Sequence, residues 1–156
     1  MKPHRAVYVL RLGAAANAPR IGMAVQDITF DCKKWRIVRN VVAEVPFTPS
    51  LKISFSSKLD AEESVDGEVF RYHSVEVQNG TEHVMDGAVQ KVDGEIHVEL
   101  LSADGALRLA LPPSTLMPVA ALNFLISRLV TGVASFQRPV FGAEATGGPS
   151  CSMLNN

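Results

Sequence analysis

Residues 111–132 read LPPSTLMPVAALNFLISRLVTG, and how this stretch is read decides the fold. Pro112 and Pro113 end whatever precedes them, and Ser114 or Thr115 offers a hydroxyl to cap a first helical turn. Pro118 falls near the start, where its missing N–H is not needed. Val119, Leu122, Ile126, Leu129 and Val133 then recur at helical spacing, and Phe124, Leu125 and Val130 widen the stripe. Only Asn123, Ser127, Arg128 and Thr131 interrupt it with polar groups, and Gly132 supplies the C-terminal stop. The pattern predicts one helix near residues 116–131, apolar on nearly all sides and therefore wrapped by other elements.

Those other elements read as strands. Ala6, Tyr8, Leu10 and Leu12 alternate on one side of a first strand, and Asn17–Gly22 with Pro19 forms a turn. Ile21–Phe30 and Trp35–Val45 flank Asp31-Cys32-Lys33-Lys34; in the second, Trp35, Ile37, Val41 and Val45 share a face with polar Arg39 among them. Pro46 and Pro49 are expected to break that run. Leu51, Ile53, Phe55 and Leu59 then alternate with Lys52, Ser54, Ser56 and Lys58. The dipeptides Asp66-Gly67, Asn79-Gly80, Asp93-Gly94 and Asp104-Gly105 favour the positive φ of tight hairpins. They bracket Glu68–Gln78, Thr81–Val92, Glu95–Ser102 and Ala106–Leu111, an antiparallel meander. After the helix, Ala134–Phe141 returns as a strand broken by Pro139. The expected organisation is a single β-rich domain over residues 1–142. A small, glycine-rich tail follows over 143–156, loose unless Cys151 anchors it.

The chain of 156 residues has a net charge of −1, which gives no global bias toward nucleic acid or anionic membrane. The charges are segregated, however. Residues 1–58 hold ten Lys/Arg against Asp27, Asp31 and Glu44, whereas residues 59–104 hold twelve acids against Arg71 and Lys91. Opposite charges on neighbouring strands account for this more simply than a steering dipole. Lys2, His4 and Arg5 before Ala6–Ala16 imitate a signal peptide, but Arg11 inside the apolar stretch argues for a strand. Arg128 interrupts the best candidate for a membrane span. Cys32 and Cys151 read either as a disulfide or as free thiols.

Candidate chemistry is sparse. His4, His73, His83 and His97 lack the short spacings of zinc ligands, so no metal is expected. No nucleophile elbow or glycine-rich phosphate loop is present. The acids of residues 59–104 are read as turn formers and solvent-face residues rather than an acid/base pair. Asn79-Gly80-Thr81 fits a glycosylation acceptor but is explained as a turn. Trp35 beside Lys33, Lys34, Arg36 and Arg39 is read as a core anchor with solvated neighbours, not a nucleic-acid platform. No catalytic residue, metal or cofactor is expected, and no ligand-binding residue is assigned.

The order of short motifs resembles the envelope-integrity protein B family of Gram-negative bacteria, over roughly residues 4–142. His4-Arg5-Ala6-Val7-Tyr8 is similar to the family's opening strand, and Thr29-Phe30-Asp31-Cys32 to its strand followed by a cysteine. Phe70-Arg71-Tyr72 and Asn79-Gly80 follow. Then come Leu111-Pro112 with Thr115-Leu116-Met117-Pro118 at the entry to a helix, and Phe136, Pro139, Val140 and Phe141 after it. Met117 stands where the family has Phe, and the histidine after Pro118 is absent. The resemblance implies a β-spiral, a strongly curved antiparallel sheet or partial barrel around the helix. It also implies a periplasmic, non-enzymatic role in envelope integrity, a tetratricopeptide-repeat protein as partner, and a disulfide in which Cys32 takes part, with Cys151 as its counterpart by role. The chain is expected to be a shortened or diverged half of that spiral, with open edges that allow self-association. A carrier of an apolar ligand inside the curled sheet is the alternative.

Overall fold

The computed structural model describes residues 1–48, 50–132, 137–142 and 150–155, the last of these as backbone only. Eight strands follow one another: β1 (His4–Arg11), β2 (Arg20–Phe30), β3 (Lys34–Thr48), β4 (Leu51–Ser64), β5 (Val69–Gln78), β6 (Thr81–Val92), β7 (Glu95–Ser102) and β8 (Gly105–Leu111). They form one antiparallel sheet in the order β1-β2-β3-β4-β5-β6-β7-β8, left open between β1 and β8. The helix α1 (Pro118–Val130) follows, then β9 (Gln137–Gly142) and β10 (Ser150–Asn155), which pair with each other. The hairpins fall where the dipeptides place them. Asn79 and Gly80 take φ of 51° and 84°, and Asp93 and Gly94 take 52° and 83°, the geometry of primed turns.

Alternation assigns one sheet face to the core. Ile28, Trp35, Ile37, Leu59, Ala61, Phe70, Tyr72, Met85, Val89, Ile96, Val98 and Leu100 are buried together with Met117, Val119 and Phe141. Each large apolar side chain so buried contributes roughly 1.5–3 kcal/mol. Phe70, Tyr72 and Phe141 meet as an aromatic triangle with ring centroids 5.7, 5.8 and 6.0 Å apart. The segment entering the helix is tied to β9: the Leu116 N–H donates to the Pro139 carbonyl (2.9 Å), and the Phe141 N–H to that of Leu116 (3.0 Å).

On the opposite face the segregated charges meet. Lys34 pairs with Glu62 (2.8 Å), Arg36 with Asp60 (2.6 Å) and Lys52 with Glu44 (2.9 Å), all on the exposed faces of β3 and β4. The basic early strands and acidic later ones are therefore cross-strand complements, although exposed pairs of this kind stabilise little individually. Trp35 is buried and stacked on Phe30 at 4.6 Å, as a core anchor should be.

Four expectations need correction. Pro46 does not end β3, which runs on to Thr48; its pairing with β2 stops at Ala43, so the missing N–H interrupts no ladder there, and a register shift follows at Pro46/Thr48. Pro139 likewise lies within β9, opposite Met153. The tail is not loose throughout, because residues 150–155 form β10, with Cys151 opposite Phe141. Finally, α1 is not buried on most sides. Val119 and Ala121 are buried, while Leu122, Ile126, Leu129 and Val130 are exposed, Val130 at 81%. The sheet covers only the start of the helix. Cys32 is an exposed free thiol in the β2–β3 turn, and the side chain of Cys151 lies outside the described residues.

Gly87 of β6 stands directly opposite Tyr72 of β5. A Cβ there would clash with Tyr72 Cε1, because the buried Tyr72 ring rests on the bare α-carbon. Gly87→Ala should therefore lower stability by about 1–3 kcal/mol through overpacking. Chemical denaturation measures it, and the loss should be smaller in a Tyr72→Leu background, where the ring that clashes is gone.

Candidate functional site

The sequence supplies an inward-facing residue at every second position of β4: Ile53, Phe55, Ser57, Leu59, Ala61 and then Glu63. The last of these is a carboxylate placed in register between Trp35 of β3 and Phe70 of β5, and it is 1% exposed. Its partner is the helix. The Val119 N–H donates to Glu63 Oε2 (2.6 Å) and the Ala120 N–H to Oε1 (2.8 Å). Pro118, at the first helical position, has no N–H to satisfy, and the Ala121 N–H reaches the Met117 carbonyl (2.8 Å). The donors of the first turn are thus all accounted for. The helix is capped by a strand residue 56 positions earlier, not by Ser114 or Thr115 as the local sequence suggests. The hydroxyl of Thr115 is buried without a hydrogen-bond partner among the described residues.

This arrangement sets two effects against each other. The two N–H donors, at the positive end of the helix dipole, favour the ionised carboxylate. Burial between aromatic rings opposes ionisation more strongly, and the Glu63 pKa is raised to about 7. The reading of the acids of residues 59–104 as turn and solvent-face groups is therefore corrected at Glu63, and also at Glu76, which is buried. Continuing the β4 alternation four residues past Leu59 was the signal for Glu63.

Beneath the clasped helix lies a cleft of about 310 Å³. Ile28, Ile37, Leu59 and Phe70 of the sheet line it from one side, Pro118, Ala121, Leu122 and Leu125 of α1 from the other, and Val140 and Phe141 of β9 close it. Two polar side chains share this space, Gln26 of β2 and Arg39 of β3, which stand directly opposite each other in register. A wider, open groove of about 710 Å³ lies on the outer sheet face, lined by Arg36, Asp60, His73, Asp86, Glu99 and Arg108 among others. Most of its charges are paired: Arg36 with Asp60, His73 Nδ1 with Asp86 (2.8 Å), and Arg108 with Glu99 (2.9 Å), while Arg71 is exposed to solvent. The Arg36 guanidinium holds the Asp60 carboxyl below the usual carboxylate range.

The histidines do not converge. His73 belongs to that groove, His97 lies 3.5 Å from Glu95, His83 stands opposite Glu76 across the β5–β6 pair, and the His4 ring contacts the Lys2 carbonyl (2.8 Å). Among the described residues no three His, Cys, Asp or Glu side chains come together in a metal-binding group, and no helix is long and apolar enough to cross a membrane.

An open antiparallel sheet that grips one helix on its inner face through a carboxylate clamp is a barrel-like β protein. The sequence profile of the EipB-like family matches residues 1–154, and the chain belongs to that family. The match is longer than the 4–142 expected and takes in β10, so measured against the family profile the chain is not short. In structure it is similar to a barrel-like protein of a domain of unknown function from Brucella abortus, with a TM-score of 0.78 and 22% sequence identity. The similarity covers 90% of this chain and 60% of that one, so this chain spans less than two thirds of its solved relative. No curated protein matches.

The clamp yields a pH dependence with a defined sign. The folded-state pKa of Glu63 lies above its unfolded value, so its contribution is fully present below about pH 4.5 and is lost as pH rises through about 7. The loss amounts to about 3 kcal/mol in total. Glu63→Gln should flatten the stability profile between about pH 5 and pH 8 in urea titrations, above the range where Asp60 protonates. Glu63→Ala should cost roughly 1–3 kcal/mol near pH 5, since two backbone donors lose their acceptor, and the cost should shrink as pH rises through about 7.

Proposed function

We propose that this protein is a non-catalytic periplasmic module that supports the integrity of the cell envelope by binding another protein. The observation that carries the reading is the uncovered flank of α1. Ile126, Leu129 and Val130 are three large apolar side chains exposed beyond the clamped first turn, and exposed apolar surface of this kind marks an interaction site. The unpaired outer edges of β1 and β8 add a second mode of attachment, by strand addition.

Membership of the EipB-like family supports the compartment and the envelope role through the resemblance already described. It also supports a partner built of tetratricopeptide repeats. Such repeats stack into a superhelix with an extended concave surface, which suits a protruding helix flank. A non-catalytic role is supported by the placement of His73, Asp60, Glu62 and Glu99 in exposed cross-strand pairs, away from the cleft under α1. The cleft itself favours one second reading, a binder of an apolar ligand held between helix and sheet.

Replacing Ile126 and Leu129 together by Asp tests the first reading, because both side chains are exposed and the fold should be retained. The double variant should lose co-purification with the tetratricopeptide-repeat protein of its host. It should also fail to restore detergent resistance to a strain lacking the wild-type gene. Full restoration by a folded double variant would exclude the helix flank as the functional surface.

A further inference from the structure

Among the described residues Arg39 is the one cation lining the cleft beneath α1, and the pattern of β3 does not explain it. It occupies an inward position between Ile37 and Val41, where a strand facing a core calls for an apolar residue. Its Nε is buried and has no hydrogen-bond partner among the described residues. A guanidinium stays charged at any physiological pH, so this donor cannot be silenced by losing a proton. An unmet charged donor facing an apolar cavity is unfavourable in the empty protein and is relieved by an anion that enters the cavity.

We propose that the cleft binds a single-chain alkyl carboxylate, with Arg39 holding the head group and the underside of α1 covering the chain. This rests on the apolar-ligand reading and specifies its chemistry. The Nε–H and a terminal N–H of a guanidinium match the two oxygens of a carboxylate as a planar fork. Gln26, directly across from Arg39, offers an amide at the same end of the cleft. Ile37, Leu59, Phe70, Leu122 and Leu125 provide an apolar lining for the chain. The volume of about 310 Å³ suits one short chain and excludes a lipid with several. The outer-face groove is the larger space, but Arg36 and Arg108 there are paired with carboxylates and Arg71 is exposed to solvent, so none is a buried, unmet donor as Arg39 Nε is.

The experiment compares three probes of equal chain length and different head group on the intact protein, by calorimetric titration below their micellar concentrations. Decanoate should bind saturably, one per chain, at least tenfold more tightly than decanol, and decyltrimethylammonium should bind weakest. Arg39→Gln, checked for folding by circular dichroism, should abolish the preference for decanoate while keeping the affinity for decanol. Equal affinities of the wild-type protein for decanoate and decanol would overturn the role of Arg39 and leave the apolar-ligand reading standing. Failure of all three probes to bind would overturn both. An Arg39→Gln protein that still prefers decanoate would also overturn the assignment, and the head-group series on the wild-type protein decides the question if that variant does not fold.

Discussion

The contact between the Glu63 carboxylate and the first turn of α1 is the constraint on which the remaining architecture depends. The sheet is open, so nothing in its own hydrogen bonding holds a helix against its inner face. The Val119 and Ala120 N–H groups, both donating to Glu63, do so, at the point where Met117 and Val119 enter the core beside Phe141. A buried carboxylate is a costly clamp, and its raised pKa reflects that cost. In return it is directional: two oxygens meet two adjacent backbone donors, which fixes where the helix starts and which way it leaves the sheet.

The asymmetry of α1 follows from that clamp. Its first turn is fastened and buried, while Ile126, Leu129 and Val130 further along are exposed. The cleft lies under Ala121, Leu122 and Leu125, lined on the sheet side by the same inward row that supplies the core. Arg39 and Gln26 stand in that row where packing against a closely seated helix would have required apolar residues. The same helix therefore carries an exposed apolar flank and roofs a partly polar cavity.

The strands were legible because their signals are local. Period-two alternation and the Asn-Gly and Asp-Gly turns fix β5, β6, β7 and β8 to within a residue of their observed limits, and turn chemistry acts over four residues. The helix was legible in position but not in environment. Apolar residues all round Leu122–Val130 imply burial only if a cover exists, and composition does not say what covers them. The cap was misplaced for a related reason. Ser114 and Thr115 satisfy the local rule, but the acceptor came from β4, and long-range pairing leaves no trace in a local window. Glu63 and Arg39 are visible in retrospect as charged residues at inward positions. Reading them as such requires carrying the strand parity through a charged segment instead of stopping at it.

The sequential order of the eight strands has a consequence for how the chain acquires its structure. Each pairing is between neighbours joined by a short connection, so every added strand closes only a small loop and the entropy of closure is met stepwise. A sheet of this kind can be laid down from the N-terminal end, strand upon strand, as a chain emerges from a ribosome or a translocation pore. The contact between residue 63 and residues 119 and 120 joins distant parts of the chain and cannot form until α1 itself is present. Docking of the helix is thus a late event in assembly, and until it happens the inner row of the sheet stands open along its whole length.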